Sequence, residues 1–354
     1  MRASASRFPD SPAVVDGAAM LGDGPCTLSV LGAVAWSVIM GSLYVGSLYM
    51  VPEHLRSRHR DDSQHIRARF VAVSVASLLS AVLFAFATGG GRCFGDGGTL
   101  DALGVKAERF WSASLRALLL TAALYLGPLS VMGLGFFVAV DANCDGVVRT
   151  TGDWCDGAAK VLDELMEERR AHYAIPGAVE MSLRNLLVGP LSEEFVFRAC
   201  MVPLLLEAGC STRTSVVCSP LFFGVAHLHH LRRRVREDRA PFVEALGQTL
   251  FQFAYTTLFG VYTAFVFART AHLGAAFACH AFCNYMGLPD LDFACVPSDL
   301  PWLSKRERLV QVVLHKRRAA LFALHGAGIV LFGLLLFPLT TPTTFKSPYW
   351  PPRP

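Results

Sequence analysis

The chain has 354 residues, 53% of them apolar and only 17% charged, with a formal net charge of +4 and a mean hydropathy of +0.42. That balance excludes a string of soluble domains and points to a membrane protein. Ten cysteines are scattered without a CxxC framework, which argues against a zinc site or disulfide scaffold, and the short arginine clusters lack the interleaved aromatics of a nucleic-acid surface.

Residues 1–26 carry no signal-peptide pattern and read as a tail ahead of a retained first span. Charge-free apolar runs at 27–51, 70–88 and 117–140 are each long enough to cross a bilayer. Residues 141–180 form one long loop rich in Asp and Glu, in which 162–170 has the pattern of an amphipathic surface helix. Runs 186–206, 214–230 and 271–289 are apolar but carry polar groups; 245–268 and 319–341 are clean. The proline-rich tail, 342–354, reads as irregular and outside the membrane. The expected fold is all-α, one polytopic transmembrane domain over 27–341 with about eight helices and both termini on one side.

The loops set the expected orientation. Residues 54–69 carry five arginines, 232–239 five more, and 305–318 six Lys or Arg. An eight-span arrangement puts all three on one side, and the positive-inside rule makes that side cytosolic and the termini lumenal. His229 and His230 then sit at the interface beside the arginines, which anchor to anionic headgroups. Gln248 and Gln252 read as partners in interhelical hydrogen bonds.

Ionisable groups inside membrane segments are costly and mark function. Glu193, Glu194 and Arg198 lie in 186–206. Glu194 and Arg198 are four apart and share a helix face, whereas Glu193 is rotated about 100° away. Phe223 and His227 are likewise one turn apart on the next polar segment, as are His280 and Asn284 on the third. By helix rise all three sets fall in the cytosolic half of the bilayer, where a cavity open to the cytosol would join them. Such a set suits hydrolysis. Glu193 and His227 could hold and deprotonate a water, His280 and Asn284 could donate to a developing oxyanion, and Glu194 with Arg198 would be scaffold.

The ordered motifs EExxxR (Glu193–Arg198), FxxxH (Phe223–His227) and HxxxN (His280–Asn284) resemble those of the type II CAAX prenyl endopeptidases, the Ras-converting-enzyme family within the glutamate-dependent intramembrane proteases. The resemblance covers about 189–289. It implies an enzyme of the endoplasmic reticulum membrane that removes the last three residues of prenylated CAAX proteins, small GTPases and similar, without a cofactor. It assigns water activation to Glu193 and His227 and oxyanion stabilisation to His280 and Asn284. Two other readings stand beside it. One is a zinc metalloprotease with Glu193, His227 and His280 as ligands, although HExxH is missing. The other is a transporter or non-catalytic membrane scaffold, although no inverted repeat is visible.

Overall fold

The computed structural model describes residues 28–89, 98–144, 150–236, 239–297 and 301–350. The expected lumenal tail 1–26, residues 351–354 and the side chains of His229 and His230 lie outside the described residues. Among the described residues the chain is helical throughout, without strands.

Helices α1 (Val30–Ser47) and α2 (Ser63–Ala87) pack against one another. Ser29 caps α1, and Asp62 caps α2 by accepting from the amides of Gln64 and His65. On α1 the buried side chains Ala33, Ser37, Met40 and Tyr44 recur every three or four residues and make one inward stripe. The outward faces are apolar instead of polar, with Leu31, Leu78 and Phe86 exposed. That inversion is what a lipid-facing surface requires, and it leaves the interior to be held by close packing and polar contacts.

The run expected as one helix over 117–140 is two, α3 (Phe110–Leu124) and α4 (Leu126–Asn143), broken at Tyr125. Pro128 explains the break. It has no N–H to donate to Leu124, and its ring crowds that carbonyl.

The acidic loop is also mostly helix. In α5 (Thr151–Ala174) a capping box between Thr150 and Asp153 starts the helix. Ala158 and Val161 then bury against Ala139 and Val140 of α4, so the segment docks on the bundle and is longer than the 162–170 stretch read from the sequence.

Residues 178–207 form one continuous helical course, α6, containing two π-helical turns, Arg184–Val188 and Phe195–Cys200, on either side of the α-helical Gly189–Glu194. α7 (Thr212–Ala226), α8 (His229–Arg236), α9 (Phe242–Thr270) and α10 (Leu273–Met286) follow. The basic 305–318 segment folds as α11 (Lys305–Lys316), before α12 (Arg318–Leu339).

Among the described residues five helices are long and apolar enough to cross a membrane: α1, α2, α4, α9 and α12. The protein is therefore a polytopic membrane protein. Two of the polar segments are shorter, α7 with 15 residues and α10 with 14. At 1.5 Å per residue each covers about 20 Å, against a hydrocarbon core of about 30 Å. They sit among the longer helices, where polar side chains can be enclosed by protein.

Connections gather at two ends. Arg184 bonds Asp61, and Arg67 bonds Glu180, tying the start of α6 to the α1–α2 connection and the start of α2. At the other end the amide of Leu273 bonds the Gly104 carbonyl, and Thr212 bonds the Tyr349 carbonyl. The segment after α12 is thus not an irregular tail. Phe345, Ser347 and Tyr349 are buried, Tyr349 reaches the Ala102 carbonyl, and the Arg269 guanidinium lies 5.2 Å over the Trp350 ring.

Candidate active site

Three helices contribute the site. Glu194 and Arg198 on α6 are both fully buried, and Arg198 Nε lies 3.1 Å from Glu194 Oε2. The Nε hydrogen itself points at Thr263 Oγ1 of α9, 2.9 Å away. The guanidinium plane covers the Phe223 ring at 4.3 Å, so one arginine fastens α6 to α7 and α9. Gly260 of α9 permits this approach, since a Cβ there would stand 2.7 Å from Pro220 Cβ and 3.2 Å from Arg198 Nη2.

Glu194 does more than pair with Arg198. Its Oε1 accepts from His280 Nδ1 of α10 at 2.7 Å. With Nδ1–H committed there, the ring turns Nε2 toward Glu193, 3.7 Å from Oε2. The expectation that Glu194 and Arg198 form a separate scaffold is therefore refined: the carboxylate orients the imidazole that faces Glu193.

His227 closes α7, and its Nδ1–H donates to the Phe223 carbonyl at 2.8 Å. A carbonyl can only accept, which makes Nε2 the proton-accepting nitrogen of the neutral ring. Phe223 is central to the packing. Its ring meets His227 edge-on at 4.6 Å, His280 at 6.3 Å and Phe197 at 5.1 Å.

Glu193 and His227 line one cavity of about 170 Å³, walled by Tyr44, Arg69, Arg184 and Phe223 among others. The Glu193 side chain keeps 26% of its surface exposed, against none for Glu194. The adjacent carboxylates thus divide, one toward the cavity and one toward the protein interior. Asn284 stands apart. It is exposed and donates Nδ2–H to the Asn185 carbonyl at 2.9 Å. Among the described residues no group of three His, Cys, Asp or Glu side chains converges to hold a metal, the Glu193, His227 and His280 set included.

The local backbone of α6 is unusual for a reason that can be located. At the junction of the first π turn and the following α-helix, a Cβ on residue 189 would lie 2.6 Å from the Arg184 carbonyl oxygen. Only glycine fits, and π turns often mark functional helices.

Tyr44, Arg69, Arg184 and Thr263 were not singled out from the sequence. Tyr44 bonds Ser192 Oγ at 2.9 Å, a polar contact beside Glu193. A tyrosine in the charge-free α1 was the available signal. Gln252 does make its interhelical bond, to Arg234 of α8, whereas Gln248 bonds Glu244 of its own helix.

The helical membrane fold thus brings carboxylates, imidazoles and a buried arginine together, a set chemically suited to hydrolysis. The family model described as "Type II CAAX prenyl endopeptidase Rce1-like" matches residues 176–286, which hold all seven residues named from the motifs. CAAX prenyl protease 2 of Homo sapiens is 36% identical over 346 residues, covering 94% of this chain and 88% of that protein. The Arabidopsis thaliana protein of the same name is 30% identical over 91% of this chain and 93% of its own length. The Rattus norvegicus protein is 32% identical over 94% and 87%. No solved structure gives a significant match. The chain belongs to the type II CAAX prenyl endopeptidase family.

Proposed function

We propose that the chain removes the C-terminal tripeptide from prenylated CAAX proteins, small GTPases and similar, at the endoplasmic reticulum membrane, with residues 27–341 acting as one catalytic domain whose cavity faces the cytosol. The observation that carries this reading is the shared cavity of Glu193 and His227, with His280 beside Glu193. A prenyl chain partitions into the bilayer and against apolar wall residues such as Val45, Leu48 and Phe70. The peptide meanwhile needs the wet, charged side of the same cavity. Basic residues in its lining, Arg69 and Arg184, support an opening on the positively charged side.

In this proposal Glu193 and His227 Nε2 bind a water, and Glu193 takes its proton as the oxygen attacks the carbonyl of the prenylated cysteine. The oxyanion is met by Nε2–H of a His280 ring protonated on both nitrogens, whose Nδ1–H Glu194 holds in place. Asn284 keeps a second amide hydrogen for the same task. Collapse breaks the C–N bond, the proton on Glu193 passes to the departing amine, and the cysteine leaves with a free carboxylate. Arg198 fixes Glu194 without touching substrate.

The test is mass spectrometry of the products from a farnesylated CAAX peptide incubated with the purified protein in lipid vesicles made with ¹⁸O water. The proposal expects the intact tripeptide, and one heavy oxygen in the farnesyl-cysteine carboxylate. Stepwise loss of single residues, or no release, contradicts it.

A further inference from the structure

The cavity holds a cation that neither the water-activating pair nor the oxyanion donors use. Arg69, in the second turn of α2, lines it, and its Nε is buried without a hydrogen-bond partner. Arg60, Arg184 and Arg233 act on its charge from nearby, and Glu193 lines the same cavity. Arg184 is already committed to Asp61 Oδ1 at 2.8 Å and Asn185 Oδ1 at 3.0 Å. A guanidinium with other arginines nearby and an orphan N–H in a cavity can take an anion from outside the chain. Its planar fork fits a carboxylate best.

Position gives the anion's identity. Arg184, which lines the same cavity as Arg69, lies nine residues before Glu193, about 13 Å by helix rise. Three extended peptide residues reach about 10 Å, and a hydrogen bond to an arginine covers the remainder. We propose, resting on the tripeptide-releasing reading above, that Arg69 binds the α-carboxylate of the substrate's last residue and so fixes the cut three residues from the C-terminus. The side chains of the leaving tripeptide vary, but its terminal charge does not, so this contact reads position instead of sequence.

The experiment compares kcat/KM for two farnesylated CAAX peptides, one ending in a free carboxylate and one in a carboxamide, with wild type, Arg69→Gln and Arg69→Lys. Wild type should prefer the carboxylate by about 30-fold or more, the effect expected for truncating one side of an enclosed charge pair. Arg69→Gln should cut both peptides at the rate wild type shows for the carboxamide, and Arg69→Lys should keep part of the preference. Equal cutting of both peptides by wild type overturns the proposal while leaving tripeptide release intact, and so does an undiminished preference in Arg69→Gln. If Arg69→Gln fails to fold, the wild-type and Arg69→Lys comparisons decide. A wild-type protein that cuts neither peptide overturns the underlying reading and this inference with it.

Discussion

Glu194 Oε1 and His280 Nδ1 lie 2.7 Å apart, joining α6 and α10 across 86 residues of chain. The same carboxylate pairs with Arg198 through its other oxygen. One fully buried group therefore orients an imidazole and neutralises a guanidinium. Removing either charged partner strands the other in a low-dielectric interior. Glu194→Ala and Arg198→Ala are each expected to destabilise the protein by about 3–5 kcal/mol, seen as a lower melting temperature in detergent along with lost activity. An Arg198→Ala protein that melts with wild type would contradict this role.

His280 and Asn284 separate in the same way. His280 faces Glu193, whereas Asn284 is exposed and tied to the Asn185 carbonyl. His280→Ala is expected to lower kcat by about 10²–10³-fold, the cost of one transition-state donor, with KM little changed. The loss in Asn284→Ala should be smaller. Steady-state kinetics on one farnesylated peptide check both, and equal losses would give Asn284 the larger share that the motif alone suggests.

Two glycines carry the backbone approach on which the site depends. Gly189→Ala sets a methyl against the Arg184 carbonyl, a rigid backbone atom, and Gly260→Ala sets one against the Pro220 ring. Both should lower melting temperature by several degrees, as overpacking of about 1–3 kcal/mol does. Gly247→Ala, with open space at its Cβ, serves as the control and should be neutral.

Much of this arrangement was legible in the chain because charges inside apolar runs cannot be hidden. Glu193, Glu194, Arg198, His227 and His280 announce themselves by being expensive where they stand. What was not legible depends on contacts between segments. The first π turn, ahead of Gly189–Glu194, sets a glycine against a carbonyl five residues back, which no hydropathy pattern records. The burial of Tyr349 was masked by the prolines around it. Pro128 and the Thr150–Asp153 capping box were visible signals outweighed by the apolar and acidic character of their surroundings. Glu194 read as the partner of Arg198 because helix spacing shows only same-helix neighbours, and His280 lies on another helix.

Acid should loosen the entry to α6. The hydrogen bond from Arg67 holds the Glu180 carboxyl below its usual range. A carboxyl depressed in the folded state contributes stability above its unfolded pKa of about 4.3 and loses it as pH falls through the folded value. The melting-temperature gap between wild type and Glu180→Gln should thus be full at pH 6 and close progressively below about pH 4. A gap that stays constant across that range would remove the ion pair from the account.

The central claim is that Glu193, and not its buried neighbour, activates water together with His227. Its most direct measurement is kcat/KM on a farnesylated CAAX peptide for wild type, Glu193→Gln and His227→Ala in vesicles, alongside their melting temperatures. Losses of about 10²–10⁴-fold are expected for each variant, with melting temperatures near wild type because Glu193 faces the cavity. A Glu193→Gln protein that folds normally and releases the tripeptide at the wild-type rate would contradict the claim.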